Sequence, residues 1–381
     1  MISTNGPEPF TIAFSDEQLA DLKMRLSRTR WPDQIPDSGW GYGMNSAVLR
    51  ELVGYWAGAY DWRERERKLN SEPQFIAEID GIGIHFIHKR TKGHDGRKAI
   101  PLLLLHGWPG SFVQMLSLLP LLTDPDVPDA PAFDVVVPSL PGYGFSAIPH
   151  APGMSTPRIA PLMHALMTEV LGYSRYGLRS SDLGAGVAAR IAADYPDSII
   201  GSHTGGTNPY LGPVPDDLGP EEQAFVKAAQ AWSQSEMAYA QEHSSKPQTL
   251  AHALNDSPAG LAAWIVEKVW RWGDISIPLD RRVDRDALLD NLTIYWMTGT
   301  IGSSMRLYYE TARDPNAWAR PDVPTAYLMS PHDMFSTPRR WVERSARVDR
   351  WTEIDCGGHF LEWEIPHLVA EDLRAFFGPL R

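Results

Sequence analysis

The stretch Tyr176-Gly177-Leu178-Arg179-Ser180-Ser181-Asp182-Leu183-Gly184-Ala185-Gly186-Val187-Ala188-Ala189-Arg190 constrains the fold more than any other part of the sequence. An apolar approach runs into small residues around one carboxylate, then into an Ala-rich run of high helix propensity. A buried strand that turns sharply into a helix, with one side chain displayed at the bend, reads this way. Small residues at Ser180, Gly184 and Ala185 leave room for a turn too tight for bulk. Asp182 stands at the displayed position, where a serine is the better-known choice. An aspartate there suits a helix N-cap equally well, because its carboxylate can accept from free backbone N–H groups. The local sequence leaves both roles open.

Around that bend the chain alternates strand-like and helix-like segments. Ile100–Leu105 is a continuous apolar run, typical of a parallel strand buried on both faces. Residues 133–137 precede the bend as another strand, and residues 198–203, 325–330 and 349–354 follow it. This alternation predicts an α/β fold, with a mostly parallel central sheet flanked by helices. Functional residues in such sheets sit on loops at the carboxyl ends of strands. His106-Gly107-Trp108-Pro109-Gly110-Ser111, Leu140-Pro141-Gly142-Tyr143-Gly144-Phe145-Ser146 and Asp182 all fall at such positions.

Residues 1–72 read as an N-terminal helical meander that wraps the core. A helix start at Ser15-Asp16-Glu17-Gln18 comes first, and an apolar helical face over residues 50–60 is closed by Asp61-Trp62-Arg63. The Pro/Gly/Trp-rich residues 31–42 between them read as irregular. Residues 75–79, the turn Asp80-Gly81 and residues 82–88 predict a β-hairpin. His85 and His88 stand three apart on its second strand, hence on opposite faces, and cannot share a metal. Residues 207–320 are helical, polar and Trp-rich, too long for a loop, and are expected to form a helical cap, or lid, over the active end of the sheet. Residues 73–206 and 321–381 are left for the α/β core, which closes with the helix Pro366–Phe377.

Charge narrows the partners. A net charge of −12 and a pI near 5.5 disfavour nucleic acid and anionic membrane surfaces. The single Cys356 excludes an intrachain disulfide and a cysteine-based metal cluster, and fits a reducing compartment. No basic and apolar leader opens the chain and no run of eighteen apolar residues occurs, so the expected location is cytoplasmic.

Asp182, Asp333 and His359 each follow a late strand-like run, in the chain order nucleophile, acid, histidine. Taken singly, Asp333 in Pro-His-Asp also fits a turn, and His359 beside Gly357-Gly358 also fits a surface loop. With the bend and the His106-Gly107 loop they form a set. His106-Gly107-Trp108-Pro109-Gly110-Ser111, the segment 140–146 and Gly357-Gly358-His359-Phe360 resemble the epoxide hydrolases of the α/β-hydrolase superfamily. The nearest branch is the one related to microsomal and juvenile-hormone epoxide hydrolases, without their membrane anchor. The N-terminal meander, residues 254–261 and residues 299–304 share that resemblance, which thus spans nearly the whole chain.

The resemblance implies an α/β-hydrolase fold and trans-opening of an epoxide to a vicinal diol. Asp182 takes the nucleophile position, His359 the base, and Asp333 the acid that orients it. The lid offers Tyr210, Tyr239, Tyr295, Tyr308 and Tyr309; the resemblance selects Tyr239 and Tyr308 as the pair that protonates the epoxide oxygen. Trp108 and Leu183 match the residues whose backbone N–H groups form the oxyanion hole, and with Phe360 they are expected to line the substrate pocket. No cofactor is implied. The partners are a small apolar epoxide and water, with a homodimer among the assemblies the sequence allows. The chain departs from the family at Ser180-Ser181, where Gly-Gly is usual, and at Leu183, where Trp is usual. A haloalkane dehalogenase uses the same Asp/His/Asp set, but commonly needs a side-chain N–H, from a Trp directly after the nucleophile, for the leaving halide; the Leu183 side chain has none to offer, though the Trp108 side chain has one. An esterase wants Ser or Cys at the bend. A non-catalytic hydrolase-fold binding protein would not require the complete set of groups.

Overall fold

Continuous apolar strands need neighbours on both edges and cover on both faces, and the sheet supplies both. The computed structural model describes residues 6–91, 99–124, 130–206 and 214–380. Its strands are β1 (Glu8–Pro9), β2 (Gln74–Ile79), β3 (Ile82–Lys89), β4 (Ile100–Leu105), β5 (Phe133–Pro138), β6 (Tyr176–Ser181), β7 (Ile199–Gly205), β8 (Thr325–Met329) and β9 (Arg350–Glu353). They form one sheet in the order β1-β2-β3-β5-β4-β6-β7-β8-β9. Pairing is antiparallel from β1 through β3 to β5 and parallel across β5, β4, β6, β7, β8 and β9. Leu102, Leu103, Leu104 and Leu105 on β4 have no exposed surface, as their unbroken run requires. The helix Asp182–Asp194 covers one crossover, and Pro366–Phe377 lies where its apolar face predicts.

The hairpin forms as expected, and its histidines part company. His85 is buried between Ser139 Oγ (2.9 Å) and Gln74 Oε1 (3.0 Å), whereas His88 meets the Tyr173 hydroxyl (2.9 Å). The N-terminal segment differs from expectation at Asp61. Asp61 does not close a helix but opens one: its carboxylate accepts from the N–H groups of Arg63 and Glu64 and caps Trp62–Leu69. That helix, Trp-Arg-Glu-Arg-Glu-Arg-Lys-Leu, carries too little apolar periodicity to show in the sequence. The preceding helix is Ser46–Ala57. β1 and the helix Thr156–Ala165, which contains Pro161, were likewise not anticipated.

Between β7 and β8 the described residues are helical, from Pro220–Glu236 to Ile301–Thr311. The helix Arg285–Thr298 ties this segment to the N-terminal helices. Trp56 Nε1 donates to Thr293 Oγ1 (3.0 Å), Tyr60 donates to Asp290 (2.8 Å), and Arg65 pairs with Asp290 (2.6 Å). The same helix grips the loop after β4: Asn291 Nδ2 donates to Pro109 O (2.9 Å) and the Tyr295 hydroxyl to Gly110 O (2.9 Å). Among the described residues no helix is long and apolar enough to cross a membrane.

Candidate active site

Asp182 opens the helix Asp182–Asp194 with φ at +50°, in the left-handed region that non-glycine residues rarely adopt. Ser181 takes the N-cap position. The N-cap alternative for Asp182 therefore falls away, and its carboxylate is free for other partners. The approach is as tight as the small residues suggest. A Cβ on Gly184 would run into the carbonyls of Leu105 and His106, and one on Gly107 into the side chain of Asp182.

The two oxygens of Asp182 have different partners. Oδ1 accepts the backbone N–H of Trp108 at 2.9 Å, and Oδ2 lies 3.4 Å from His359 Nε2. Leu183, assigned the second oxyanion donor by resemblance, makes no hydrogen bond to Asp182 here; its side chain packs against the core. On its far side the His359 ring meets Asp333 Oδ1 at 2.8 Å, and that oxygen also accepts the N–H of Met334 (2.7 Å). Asp182, Asp333 and His359 thus converge from the ends of β6, β8 and β9. Burial by itself would lower the pKa of His359. The Asp333 and Asp182 carboxylates outweigh it and hold the imidazole up at about 10. His359 is therefore protonated at neutral pH.

Aromatic rings wall the space beside this triad. Trp108 stacks on Tyr239 (5.4 Å between centroids, 12°), and Trp272 stands 5.3 Å from the His359 ring. Phe360 stacks on Trp272 and turns its ring at 88° to His359. Tyr239 and Tyr308 lie 6.0 Å apart. Burial, joined by the nearby Asp182 carboxylate, raises the pKa of each, which keeps both protonated. The Tyr308 hydroxyl is buried without a hydrogen-bond partner among the described residues. Lys268 places its ammonium 5.3 Å above the Tyr239 ring, a contact that favours developing negative charge on that phenol. The other tyrosines are committed elsewhere. Tyr295 donates to Gly110 O, and Tyr309 lies under the Arg313 guanidinium (3.5 Å). Tyr210 lies outside the described residues. Trp272 and His243, which packs against Trp108, line the space without having been singled out in the sequence; neither stands in a motif, and only the chain fold brings them there. Among the described residues no group of three or more His, Cys, Asp or Glu side chains could hold a metal ion.

One buried carboxylate ties the strand ends together. Glu362, three residues after His359, accepts from Arg179 Nε (3.0 Å) and Nη2 (2.6 Å) with one oxygen. Its other oxygen accepts from Gln114 Nε2 at 2.7 Å. Arg179 lies three residues before Asp182, and Gln114 follows the Trp108 loop. Arg179 and Glu362 have fully buried side chains.

Known proteins resemble the chain in sequence and fold. Residues 7–115 match the family model for the epoxide hydrolase N terminus, and residues 100–366 match the alpha/beta hydrolase fold. Epoxide hydrolase 1 of Sus scrofa is 34% identical over 98% of this chain and 88% of its own length. The crystal structure of juvenile hormone epoxide hydrolase from the silkworm Bombyx mori superposes with a TM-score of 0.87 at 33% identity, covering 99% of this chain and 95% of that one. The structure of Aspergillus niger epoxide hydrolase gives 0.85 at 31% identity, over 99% and 97% of the two chains. With the fold, the elbow and this likeness along nearly its whole length, the chain belongs to the epoxide hydrolases of the α/β-hydrolase fold.

Proposed function

We propose that this epoxide hydrolase opens an epoxide to a vicinal diol through a covalent ester on Asp182, with the helices between β7 and β8 acting as the lid. The observation that carries the proposal is the unequal pairing of the Asp182 oxygens. Oδ1 is held by the Trp108 N–H, so Oδ2 is the oxygen that attacks the epoxide carbon. A carboxylate needs no base for this step. The ring oxygen leaves as an alkoxide and needs an acid, which Tyr239 and Tyr308 supply as hydrogen-bond donors and proton source.

The ester then carries its carbonyl oxygen at Oδ1. Water activated by His359 attacks the ester carbonyl carbon, and the oxyanion forms against the Trp108 N–H, a contact worth roughly 3–4 kcal/mol. Leu183 offers its N–H as a second donor once negative charge builds there. The proton count closes on the chain's own groups. His359 starts protonated because two carboxylates face it. Alkylation removes the charge of Asp182, so the imidazole gives up its proton, which replaces the one lost by the tyrosines. His359 is then the neutral base that hydrolysis requires, and it takes one proton of the attacking water. As the tetrahedral intermediate collapses, the bond between the ester carbon and the substrate oxygen breaks, that oxygen takes the second proton of the water, and the diol leaves with Asp182 again a carboxylate and His359 again protonated. The aromatic walls exclude stray water and suit the apolar body of a small epoxide. A lone cysteine fits action in a reducing compartment such as the cytoplasm.

The test is a single turnover with styrene oxide in heavy-oxygen water, using more enzyme than substrate. The first diol released should carry ordinary oxygen, and the label should appear in the Asp182 carboxylate. Label in the first diol would mean that water attacks the epoxide directly, and would sink the ester.

A further inference from the structure

His243 lies one turn after Tyr239 on the helix Ala238–Ser245 and has no exposed surface. Its Nε2 receives the indole N–H of Trp264 at 3.1 Å. An indole nitrogen only donates, so Nε2 is the bare nitrogen of the ring. Burial first, then the nearby Lys268 ammonium, lower the His243 pKa to about 3 and keep the ring neutral. A neutral ring with a bare Nε2 carries its proton on Nδ1. That Nδ1–H is buried and has no hydrogen-bond partner among the described residues.

Its surroundings are the site itself. The His243 ring stands 4.7 Å from Trp108, 5.0 Å from Tyr308 and 5.6 Å from Tyr239, nearly perpendicular to each. Trp108 Nε1 and Trp272 Nε1 are also buried without hydrogen-bond partners among the described residues. Proteins rarely bury donors unpaired, and a site that does so favours a ligand able to pair them. A pure hydrocarbon substituent would leave these donors unpaired after displacing water.

We propose that His243 is a substrate-binding donor whose Nδ1–H pairs with an oxygen on the epoxide's substituent, so that the site selects epoxides bearing an ether, ester or hydroxyl oxygen beside the ring over hydrocarbon epoxides. This rests on the hydrolase function proposed above and sets its substrate class.

The test compares glycidyl methyl ether with 1,2-epoxypentane, which match in size and differ by one oxygen. The quantity read is the ratio of their kcat/KM values in wild type divided by the same ratio in His243→Phe, which cancels their intrinsic reactivities. A fall of about tenfold or more in the variant is expected, from one buried donor left unpaired. His243→Asn keeps an N–H near the Nδ1 position and should retain most of the preference. An unchanged ratio in His243→Phe overturns the proposal. A second measurement on wild type alone covers a variant that fails to fold. 3-Methoxypropane-1,2-diol should inhibit at least as tightly as pentane-1,2-diol, although it is the better hydrated of the two. Markedly weaker inhibition by the ether overturns the assignment. If wild type turns over neither epoxide, the hydrolase function itself fails, a result distinct from an unchanged ratio.

Discussion

Replacing His359 by Gln separates the two chemical steps. A Gln amide can still donate to Asp333, which His359 meets at 2.8 Å, so the buried carboxylate keeps a partner. What is lost is the ring nitrogen 3.4 Å from Asp182 Oδ2. The Trp108 N–H, at 2.9 Å from Oδ1, is untouched and continues to orient the nucleophile. Alkylation should therefore change by no more than about tenfold. Hydrolysis of the ester loses its general base, worth about 10²–10⁴ in rate, or roughly 3–5 kcal/mol of barrier. With the second step slowed that far, the ester should accumulate to nearly one per protein molecule. Trypsin cleaves after Arg179 and Arg190, and so isolates a peptide, residues 180–190, in which Asp182 is the only carboxylate side chain. Mass spectrometry should find that peptide heavier by one substrate molecule, and the added mass should disappear slowly on dilution. An unmodified peptide from a variant that folds and still consumes substrate would refute the two-step scheme. Added mass on another peptide would refute the choice of Asp182.

Tyr308→Phe and Tyr239→Phe should each slow alkylation by about 10²-fold or more while leaving hydrolysis of a preformed ester nearly unchanged, as rapid-quench kinetics can show. Equal slowing of both steps would remove the tyrosines from the acid role. Because the resting His359 holds its proton up to about 10, kcat/KM, which reports the free enzyme, should fall as pH rises toward that value. Ester hydrolysis should instead stay nearly level over that range, since in the proposed ester His359 is already the neutral ring. The same raised pKa makes a stability contribution that is complete below the ordinary histidine range and is lost as pH rises through about 10. Denaturation midpoints of His359→Gln should accordingly lack that alkaline decline. Glu362→Leu leaves Arg179 charged and buried without its carboxylate, though still meeting His203 Nδ1 (2.9 Å), and should cost about 3–5 kcal/mol in chemical unfolding. Adding Arg179→Met should recover most of the loss, and a double variant as unstable as the single would contradict the pairing.

The sequence made the elbow and the late strand ends legible because backbone demands write themselves in local residues. Gly184 and Gly107 are small because a Cβ on either would overlap a neighbour, and β4 is all apolar because both its faces are covered. The hairpin of β2 and β3 showed in its period of two. Trp62–Leu69 did not show, because a surface helix made of charged residues is specified by its cap and its ion pairs, and not by an apolar stripe. Nor did the pocket's other walls. His243, on the helix Ala238–Ser245, and Trp272, just past the end of the helix Pro258–Arg271, are distant in sequence from the strand-end loops, and nothing near either residue marks it. The tautomer of His243 depends on Trp264, twenty-one residues away in sequence.

The same contrast governs how the site is held. Asp182, the Trp108 N–H that it accepts from and His359 sit at three strand ends that share one anchor, since Arg179, Gln114 and Glu362 meet in a buried cluster behind them. Two charged groups buried this way need not add to stability over apolar replacements. What they add is direction: a bidentate guanidinium and a carboxylate accept few alternative geometries, so β6 and the loop after β9 cannot slide independently. The acid side of the reaction is built differently. Tyr239 and Tyr308 come from helices between β7 and β8, and both rings meet Trp108, Tyr239 stacked on it and Tyr308 edge-on. The helix of Tyr308 is also held to the core by hydrogen bonds, Ser303 Oγ to Gly142 O (2.6 Å) and Tyr143 to Ser304 O (3.1 Å), whereas a stacked ring such as that of Tyr239 tolerates sliding. The division matches the proposed chemistry. In that scheme, attack on the ester carbonyl needs Asp182, His359 and the oxyanion donor in fixed register, whatever the substrate. The epoxide oxygen shifts with the size of its substituents, and of the two proposed proton donors Tyr239, stacked on Trp108, is the one whose ring can follow it.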